Sequence, residues 1–236
     1  MKDILKKGLA SFGIDATTDI YERFSLYYEL LIEYNKKVNL TAITQPEEVA
    51  VKHFLDSVSI LSVCDIKKGA KIIDVGTGAG FPGIPLKIVR DDIDITLVDS
   101  LNKRVDFLKL CANELSLSNT YCIHSRAEEL AHKDEHRQRY DFAVSRAVAN
   151  MATLSEYCLP FVCIGGKFAA FKGPMAEEEL SNAKNAIATL GGGNACIKLA
   201  QIADYELSHS IILVDKIALT ATKYPRSGNK PLNKPI

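Results

Sequence analysis

The spacing of hydrophobic residues changes near residue 70. Before that point, apolar residues recur every three or four positions, which is the spacing of an amphipathic helix. This pattern predicts helices over residues 19–37 and Glu47–Val63, so we predict a helical appendage over residues 1–65. After residue 70, short apolar runs alternate with helical stretches such as Lys103–Leu115. Such alternation is typical of a parallel sheet covered by helices on both faces.

Seven apolar runs are candidate strands. The first five are Lys71–Val75, Asp94–Val98, Thr120–His124, Tyr140–Val144 and Lys167–Phe171. The last two, Ala195–Ala203 and Ser208–Lys216, are separated only by a short turn at Asp204–Leu207, which predicts an antiparallel hairpin. We therefore predict one α/β domain over residues 66–220, with a mostly parallel seven-stranded sheet that ends in this hairpin. A basic tail over residues 221–236 follows.

Composition favours a globular protein without a membrane span. The 236 residues carry 29 basic and 29 acidic side chains, and no run of apolar residues is long enough to cross a bilayer. The first ten residues lack the apolar core of a signal peptide. The six cysteines form no C-x-x-C pair, so we expect reduced thiols rather than a zinc site or a disulfide framework. We expect a cytoplasmic protein with no metal.

Positive charge is concentrated at the end of the chain. No acidic residue follows Asp215, whereas five basic residues do: Lys216, Lys223, Arg226, Lys230 and Lys234. A basic segment on a neutral protein suggests a polyanionic partner. A solvated, disordered end explains the same composition equally well.

A glycine-rich loop follows the first candidate strand. Gly76, Gly78 and Gly80 have the spacing G-x-G-x-G, and glycine lets the backbone approach a ligand closely. A dinucleotide-binding loop needs its third glycine one position later, where this chain has Phe81. The spacing is instead similar to the adenosylmethionine loop of Rossmann-like methyltransferases.

Acidic residues follow the next two candidate strands. Asp99 ends the second strand at about the distance beyond the glycine loop where nucleotide-binding folds place the acid that binds ribose hydroxyls. A helix N-cap is the alternative role for Asp99, and we favour ribose because strand, loop and acid occur in the right order. The third strand leads to Ala127 and Glu128, whose backbone N–H and carboxylate could contact an adenine edge or simply begin a helix.

Two basic residues follow the fourth and fifth strands. Ligands of such sheets bind outside the carboxyl ends of the strands, so Arg146 and Lys172 are expected to face the crevice. The planar donor fork of arginine suits a base or a phosphate, although a surface salt bridge would also explain Arg146. Lys172 could contact a phosphate or a developing charge, although a solvated lysine explains it more simply. The Asn/Asp-Pro-Pro-aromatic motif of enzymes that methylate exocyclic amines is missing here. Its absence argues against adenine N6 or cytosine N4 as the target.

Polar residues also share one face of the second predicted helix. His53, Asp56 and Ser57 lie together there, yet no further metal ligands are suitably spaced and no G-x-S-x-G elbow exists. We expect these residues to close over the cofactor or to dock the appendage on the sheet.

Together these motifs resemble one family, the small-subunit ribosomal RNA methyltransferase G family, also called glucose-inhibited division protein B. The matching segments are Asn39–Thr41, His53–Ser57, Asp74–Leu86, Asp99–Arg104, Ser125–Arg126, Ser145–Ala147 and Lys172–Gly173. The extension Gly-Phe-Pro-Gly-Ile-Pro after the glycine loop is the most specific of them. The sequence Lys223-Tyr-Pro-Arg226 resembles the basic tail of part of the family, whereas Tyr34 replaces a tryptophan that relatives often carry.

The resemblance implies a class I methyltransferase that uses S-adenosyl-L-methionine to methylate N7 of guanine 527, in the 530 loop of 16S rRNA. The cofactor contacts that it implies are Gly76, Phe81, Ala127, Glu128 and Arg146, to which the loop and ribose arguments add Gly78 and Asp99. Guanine N7 carries a free lone pair, so no general base is required. We therefore expect Arg146 and Arg126 to position base and cofactor.

The expected partner is 16S rRNA within the 30S subunit or its precursor, bound by a monomer of this protein. Six residues form the predicted RNA-binding footprint: Lys103, Arg104, Arg126, Lys172, Lys223 and Arg226. Two other functions remain open. A nicotinamide-dependent oxidoreductase could share the fold, although Phe81 argues against it. A non-catalytic RNA-binding module is the second alternative, although the intact glycine loop and Asp99 argue against it.

Overall fold

A seven-stranded sheet with strand order β3-β2-β1-β4-β5-β7-β6 forms the centre of this computed structural model, which describes residues 1–202 and 207–236. The strands are β1 Lys71–Val75, β2 Asp94–Asp99, β3 Thr120–His124, β4 Tyr140–Arg146, β5 Val162–Lys172, β6 Gly192–Ile202 and β7 Leu207–Lys216. The pairings among β1 to β5 are parallel, and β7 runs antiparallel to both β5 and β6. The predicted fold class is therefore confirmed. The turn predicted at Asp204–Leu207 lies outside the described residues, apart from Leu207.

Helices cover the sheet on both faces. Their bounds are α1 Lys2–Ser11, α2 Thr18–Asn35, α3 Pro46–Val49, α4 Asp56–Val58, α5 Gly83–Val89, α6 Asn102–Glu114, α7 Ala127–Leu130, α8 Met151–Cys158, α9 Ala176–Thr189 and α10 Lys230–Asn233. The helix predicted over Glu47–Val63 is interrupted, because a π-helical turn at Ala50–Leu55 joins α3 to α4 and a 3₁₀ turn at Ser59–Ser62 follows. None of the helices in the described ranges is long and apolar enough to cross a bilayer.

Two hydrophobic cores lie on opposite faces of the sheet, because buried strands present alternate side chains to each face. The first core joins the appendage to the sheet through Tyr27, Phe54 and Phe81, all nearly inaccessible to solvent. The ring of Tyr27 lies 5.3 Å from that of Phe54 and 5.7 Å from that of Phe81, between ring centroids. The second core lies between the sheet and α8 and α9. The appendage is thus packed directly against the glycine loop.

The C-terminal segment, residues 217–236, packs against the protein. The guanidinium of Arg137 donates to the backbone carbonyls of Thr220, Ala221 and Tyr224. Arg226 pairs with Glu156 of α8 at 2.6 Å, and the Glu156 side chain is fully buried. The basic segment is therefore not a free, solvated end.

Lys216 does not contribute to a basic surface. Its ammonium is buried and donates to the carbonyls of Leu159 and Leu190 at 2.9 and 2.8 Å. Burial lowers the pKa of Lys216 to about 7, with the charge of Arg137 as a second cause. Of the five basic residues that follow the last acidic residue, Lys216 therefore adds no charge to the surface, and sequence alone does not separate a buried strand-end lysine from an exposed one.

Candidate functional site

The glycine loop is held in place by Asp74 at the end of β1. Asp74 Oδ2 accepts hydrogen bonds from the hydroxyl of Thr77 at 2.6 Å and from the N–H of Gly83 at 2.8 Å. Gly76 has φ +71° and Gly80 has φ +100°, conformations that side-chain-bearing residues rarely adopt. The loop therefore needs glycine at these two positions.

Asp99 connects the loop to the second strand. Its Oδ2 accepts from the N–H of Gly78 and its Oδ1 from the N–H of Leu101, both at 2.9 Å. The carboxylate is 3% exposed, and Nη1 of Arg104 lies 3.5 Å from Oδ2. The N-cap position of α6 is Leu101, and no side-chain cap hydrogen bond is formed there, so Asp99 is not the N-cap of that helix.

A small cavity of about 150 Å³ opens beside Asp99. Gly76, Ala127 and Glu128 line it together with Asp99, so four residues predicted to bind the cofactor meet here. Glu128 is buried and forms an ion pair with Nε of Arg126. The far end of the Arg126 guanidinium donates to Asn229 Oδ1 at 2.8 Å, which ties this cavity to the C-terminal segment.

A larger cleft of about 800 Å³ lies outside the carboxyl ends of β4 and β5. The residues that line it come from the loop before α3, the π-helical turn, α4, the two strand ends, α9 and β7. They are Ile43, Lys52, His53, Asp56, Arg146–Ala149, Phe171–Gly173, Glu179 and His209. The cleft therefore occupies the place where ligands of open parallel sheets bind.

Arg146 lines this cleft, and its guanidinium contacts a carboxylate, a backbone carbonyl and an imidazole. It pairs with Asp56 at 2.6 Å, donates to the backbone carbonyl of Lys52 at 3.2 Å, and lies 3.3 Å from Nδ1 of His53. Its guanidinium carbon lies 4.9 Å from the ring centroid of Phe81, within cation–π range. The charge of Arg146 is thus compensated before any ligand binds.

Two histidines near Arg146 have opposite pKa shifts. Burial, and then the positive charge of Arg146, lower the pKa of His53 to about 4, so His53 is neutral at physiological pH. His209 of β7 bonds to Asp56 Oδ1, and this hydrogen bond raises the pKa of His209. The carboxylate of Asp56, in the helical appendage, therefore binds both Arg146 of β4 and His209 of β7.

Lys172 lies on the other side of the cleft. Its ammonium donates to Glu179 Oε2 at 2.6 Å and to the carbonyl of Ala149 at 2.7 Å. The side chain of Lys172 is 7% exposed, so it is not part of an open basic surface.

Val148 separates the two cavities and lines both of them. A Cβ atom added to Gly76 would lie only 2.5 Å from Cγ2 of Val148. The absence of a side chain at Gly76 therefore allows the segment after β4 to approach the glycine loop.

The predicted site residues fall into three groups. Gly76, Asp99, Ala127, Glu128 and Arg126 surround the small cavity, Arg146 and Lys172 line the large cleft, and Gly78 joins the loop to Asp99. The Phe81 side chain is buried among Tyr27, Phe54 and His53 instead of facing open space.

The predicted RNA-binding residues are more scattered. Lys103 and Lys223 are exposed, and Arg104 lies beside Asp99. Arg226 is bound to Glu156. Their role in RNA binding stays a prediction.

Sequence reasoning missed three residues of this region. Glu179 is the last of three consecutive glutamates in the first turn of α9. Nothing in the local sequence distinguishes it from Glu177 and Glu178. His209 is an isolated histidine in a strand, and Asn229 lies in the C-terminal segment. No local pattern marks the last two, because their partners are distant in sequence.

Residues 20–207 match the model of the family described as GidB, rRNA small subunit methyltransferase G. The chain belongs to this family. Ribosomal RNA small subunit methyltransferase G of Clostridium perfringens strain SM101 is 48% identical over 234 residues, which are 99% of this chain and 98% of that protein. The protein of the same name from Alkaliphilus metalliredigens is 48% identical over 235 residues, 100% of this chain and 98% of its own length. The methyltransferase G family likeness thus extends over the whole chain.

Solved structures agree on the fold. A SAM-dependent O-methyltransferase from Thermotoga maritima has a TM-score of 0.52 at 14% identity, covering 81% of this chain and 72% of that one. The fibrillarin pre-rRNA processing protein of Methanococcus jannaschii has a TM-score of 0.51 at 15% identity, covering 68% and 74%. At such low identity these likenesses show the Rossmann-like methyltransferase fold alone.

Proposed function

We propose that this protein transfers a methyl group from S-adenosyl-L-methionine to N7 of a guanine in 16S rRNA, at position 527 of the 530 loop. The family match over nearly the whole chain carries this proposal. The geometry supports it, because a small cavity beside the glycine loop adjoins a cleft large enough for a nucleobase.

The small cavity fits the adenosine part of the donor. The Asp99 carboxylate would accept from the ribose hydroxyls, and Glu128 with the backbone of Ala127 would contact the adenine edge. Gly76 lines the same cavity and would contact the donor through its backbone. When bound, the donor supplies an activated methyl group on a sulfonium, so the protein needs only to align the reacting atoms.

The large cleft suits a base that becomes positively charged. Guanine N7 has a lone pair and no proton, so its methylation requires no general base and leaves positive charge on the ring. The charge of Arg146 is balanced by Asp56, and His53 is neutral at physiological pH because its pKa lies at about 4. In the cleft, Arg146 is thus already paired with a carboxylate, and His53 carries no charge beside the base.

The finer partner assignments are also part of the proposal. We place the enzyme in the cytoplasm, as a monomer that acts on 16S rRNA in the 30S subunit or its precursor. Exposed Lys103 and Lys223, with the partly exposed Arg126, would contact the phosphate backbone.

The test is methyl transfer to three substrates: protein-free 16S rRNA, a partly assembled particle and complete 30S subunits. Each is incubated with the purified protein and methyl-labelled S-adenosyl-L-methionine. The modified base is identified by mass spectrometry and located by primer extension after borohydride reduction and aniline cleavage of the RNA at 7-methylguanosine. We expect 7-methylguanosine at one guanine of the 530 loop in at least one substrate. Absence of transfer to all three, or methylation at another atom, would overturn the proposal.

A further inference from the structure

Among residues 1–202 and 207–236, two carboxylates line the large cleft, and they differ in their capacity to bind a ligand. Asp56 is 1% exposed, and its two oxygens are bound to Arg146 and His209. The Glu179 side chain is 28% exposed. Glu179 is therefore the carboxylate of the cleft that can contact a substrate.

Glu179 is held by one of its two oxygens. Oε2 accepts from Lys172 Nζ at 2.6 Å and from the N–H of Met151 at 2.9 Å. Oε1 accepts no hydrogen bond from any residue in the described ranges, 1–202 and 207–236. Since Lys172 is nearly buried, the carboxylate is fixed in orientation with one acceptor left for a ligand.

A guanine that presents N7 for methylation turns a defined edge toward the rest of the cleft. N7 and O6 lie on one edge of the base, whereas the N1–H and the N2 amine lie on another. These two groups are donors, and an ionised carboxylate is an acceptor without donors. Adenine has an acceptor at N1 and no amine at C2, so the same carboxylate would repel it.

We propose that Glu179 is a specificity-determining residue, whose Oε1 accepts hydrogen bonds from the N1–H and N2 amine of the target guanine while Lys172 holds Oε2. The inference rests on the proposed function, because it concerns the base methylated by that activity. Lys172 and Met151 fix the acceptor in advance, so little ordering of the side chain is needed when the base enters.

A purely structural role for Glu179 predicts different behaviour. Glu177, Glu178 and Glu179 all lie in the first turn of α9, where negative charge stabilises a helix, and Glu179 also pairs with Lys172. In that case, replacing Glu179 would affect stability without changing the preference among bases. The preference among bases therefore distinguishes the two roles.

The experiment replaces one group of the substrate as well as one residue of the enzyme. Substrate rRNA is ligated from fragments so that the target position carries either guanosine or inosine, which lacks the N2 amine but keeps N7. The kcat/KM for N7 methylation is measured for the wild type, Glu179→Ala, Glu179→Gln and the exposed neighbour Glu178→Ala. The altered rRNA is used protein-free, in a partly assembled particle or in complete 30S subunits, whichever of these three the wild-type protein methylates.

We expect the wild type and Glu178→Ala to prefer guanosine over inosine by about 10- to 100-fold, the usual effect of one hydrogen bond to a charged group. In Glu179→Ala the preference should fall to within about threefold, with an unchanged KM for the methyl donor. In Glu179→Gln it should be intermediate, because the amide oxygen still accepts but the charge is gone. If Glu179→Ala fails to fold, the guanosine preference of Glu179→Gln distinguishes the specificity role of Glu179 from a purely structural one.

Two results would overturn the inference. One is equal methylation of guanosine and inosine by the wild type, and the other is an undiminished guanosine preference in the folded Glu179 variants. Both leave the proposed function intact. Failure of the wild type to methylate the guanosine substrate would instead contradict the proposed function itself.

Discussion

At the scale of single residues, the carboxylate of Asp99 both holds the glycine loop and lines the predicted ribose site. Its oxygens hold the N–H groups of Gly78 and Leu101, and they also line the small cavity. A carboxylate oxygen can accept more than one hydrogen bond, so both oxygens remain able to accept from a ribose. The residue that would bind the ligand is therefore already oriented by the loop.

Replacing Asp99 with Ala should weaken donor binding by at least about tenfold, since hydrogen bonds to a charged group are each worth about 1.5–3 kcal/mol. Isothermal titration with S-adenosyl-L-methionine measures this effect. The control is Asp106→Ala, which removes an exposed carboxylate from α6, the helix that follows Asp99. Equal affinities for the two variants would remove Asp99 from the donor site.

His209 gives stability a defined dependence on pH. Its pKa is raised in the folded state by the bond to Asp56, so the protonated form is favoured by folding. The contribution is therefore complete below the unfolded pKa of about 6.5 and is lost as pH rises through the higher folded value.

Replacing His209 with Gln should reduce the decline of the unfolding free energy as pH rises above the unfolded pKa of about 6.5, because the variant has no raised pKa at this position. Urea unfolding at several pH values measures it, with His124→Gln as a control at an exposed histidine. A decline as steep in His209→Gln as in the wild type would show that this ion pair does not contribute.

At the scale of elements, α2 packs against the glycine loop and the residue that follows it. The buried hydroxyl of Tyr27 donates to the carbonyl of Ala79 at 2.5 Å, and its ring packs against Phe81. The helical appendage therefore reaches the backbone of the loop predicted to bind the cofactor.

The Tyr27→Phe variant keeps the ring and removes only this hydrogen bond. It should lower the free energy of unfolding by about 1 kcal/mol and also weaken donor binding. Urea unfolding and donor titration measure the two effects. The adjacent Tyr28, whose hydroxyl bonds to Thr44 in an exposed position, provides the control Tyr28→Phe, which should change neither.

The elements themselves were largely predictable from sequence. Apolar runs located all seven strands, and the parallel ones are continuous runs because both of their faces are buried. The largest difference is in β5, which begins at Val162 and not at the predicted Lys167. Periodicity missed the π-helical turn at Ala50–Leu55, because six residues are too few for a π-helical period to be told from an α-helical one. The consequence is local but important, because this turn carries Lys52 and His53 into the cleft.

The site was predictable only where it follows the strands. Asp99 and Arg146 were found because they end strands, and the carboxyl ends of parallel strands converge. The bond of His209 to Asp56 spans 153 positions and the contact of Asn229 with Arg126 spans 103, so no local pattern announces them.

At the scale of the whole molecule, the C-terminal segment belongs to the folded structure as well as to the predicted RNA footprint. The Arg226 guanidinium neutralises Glu156, whose side chain has no exposed surface. A carboxylate left unpaired in such a position is costly, because burial removes its hydration.

Replacing Arg226 with Ala should therefore destabilise the protein by about 3 kcal/mol. The control Lys230→Ala removes an exposed charge from the same segment and should have little effect on stability. Thermal and urea unfolding measure both variants. Unchanged stability of Arg226→Ala, together with weaker and less salt-dependent RNA binding, would instead assign Arg226 to the RNA interface.

The hydrogen bond between Asn229 and Arg126 has a further consequence, because Arg126 also holds Glu128 at the small cavity. Coupling between two binding events is reciprocal. If packing of the C-terminal segment raises the affinity of Glu128 for the donor by some factor, a bound donor must favour the packed position of the segment by the same factor. Cofactor occupancy would thereby be communicated to the exposed lysines of the C-terminal segment, on the surface predicted to meet the RNA.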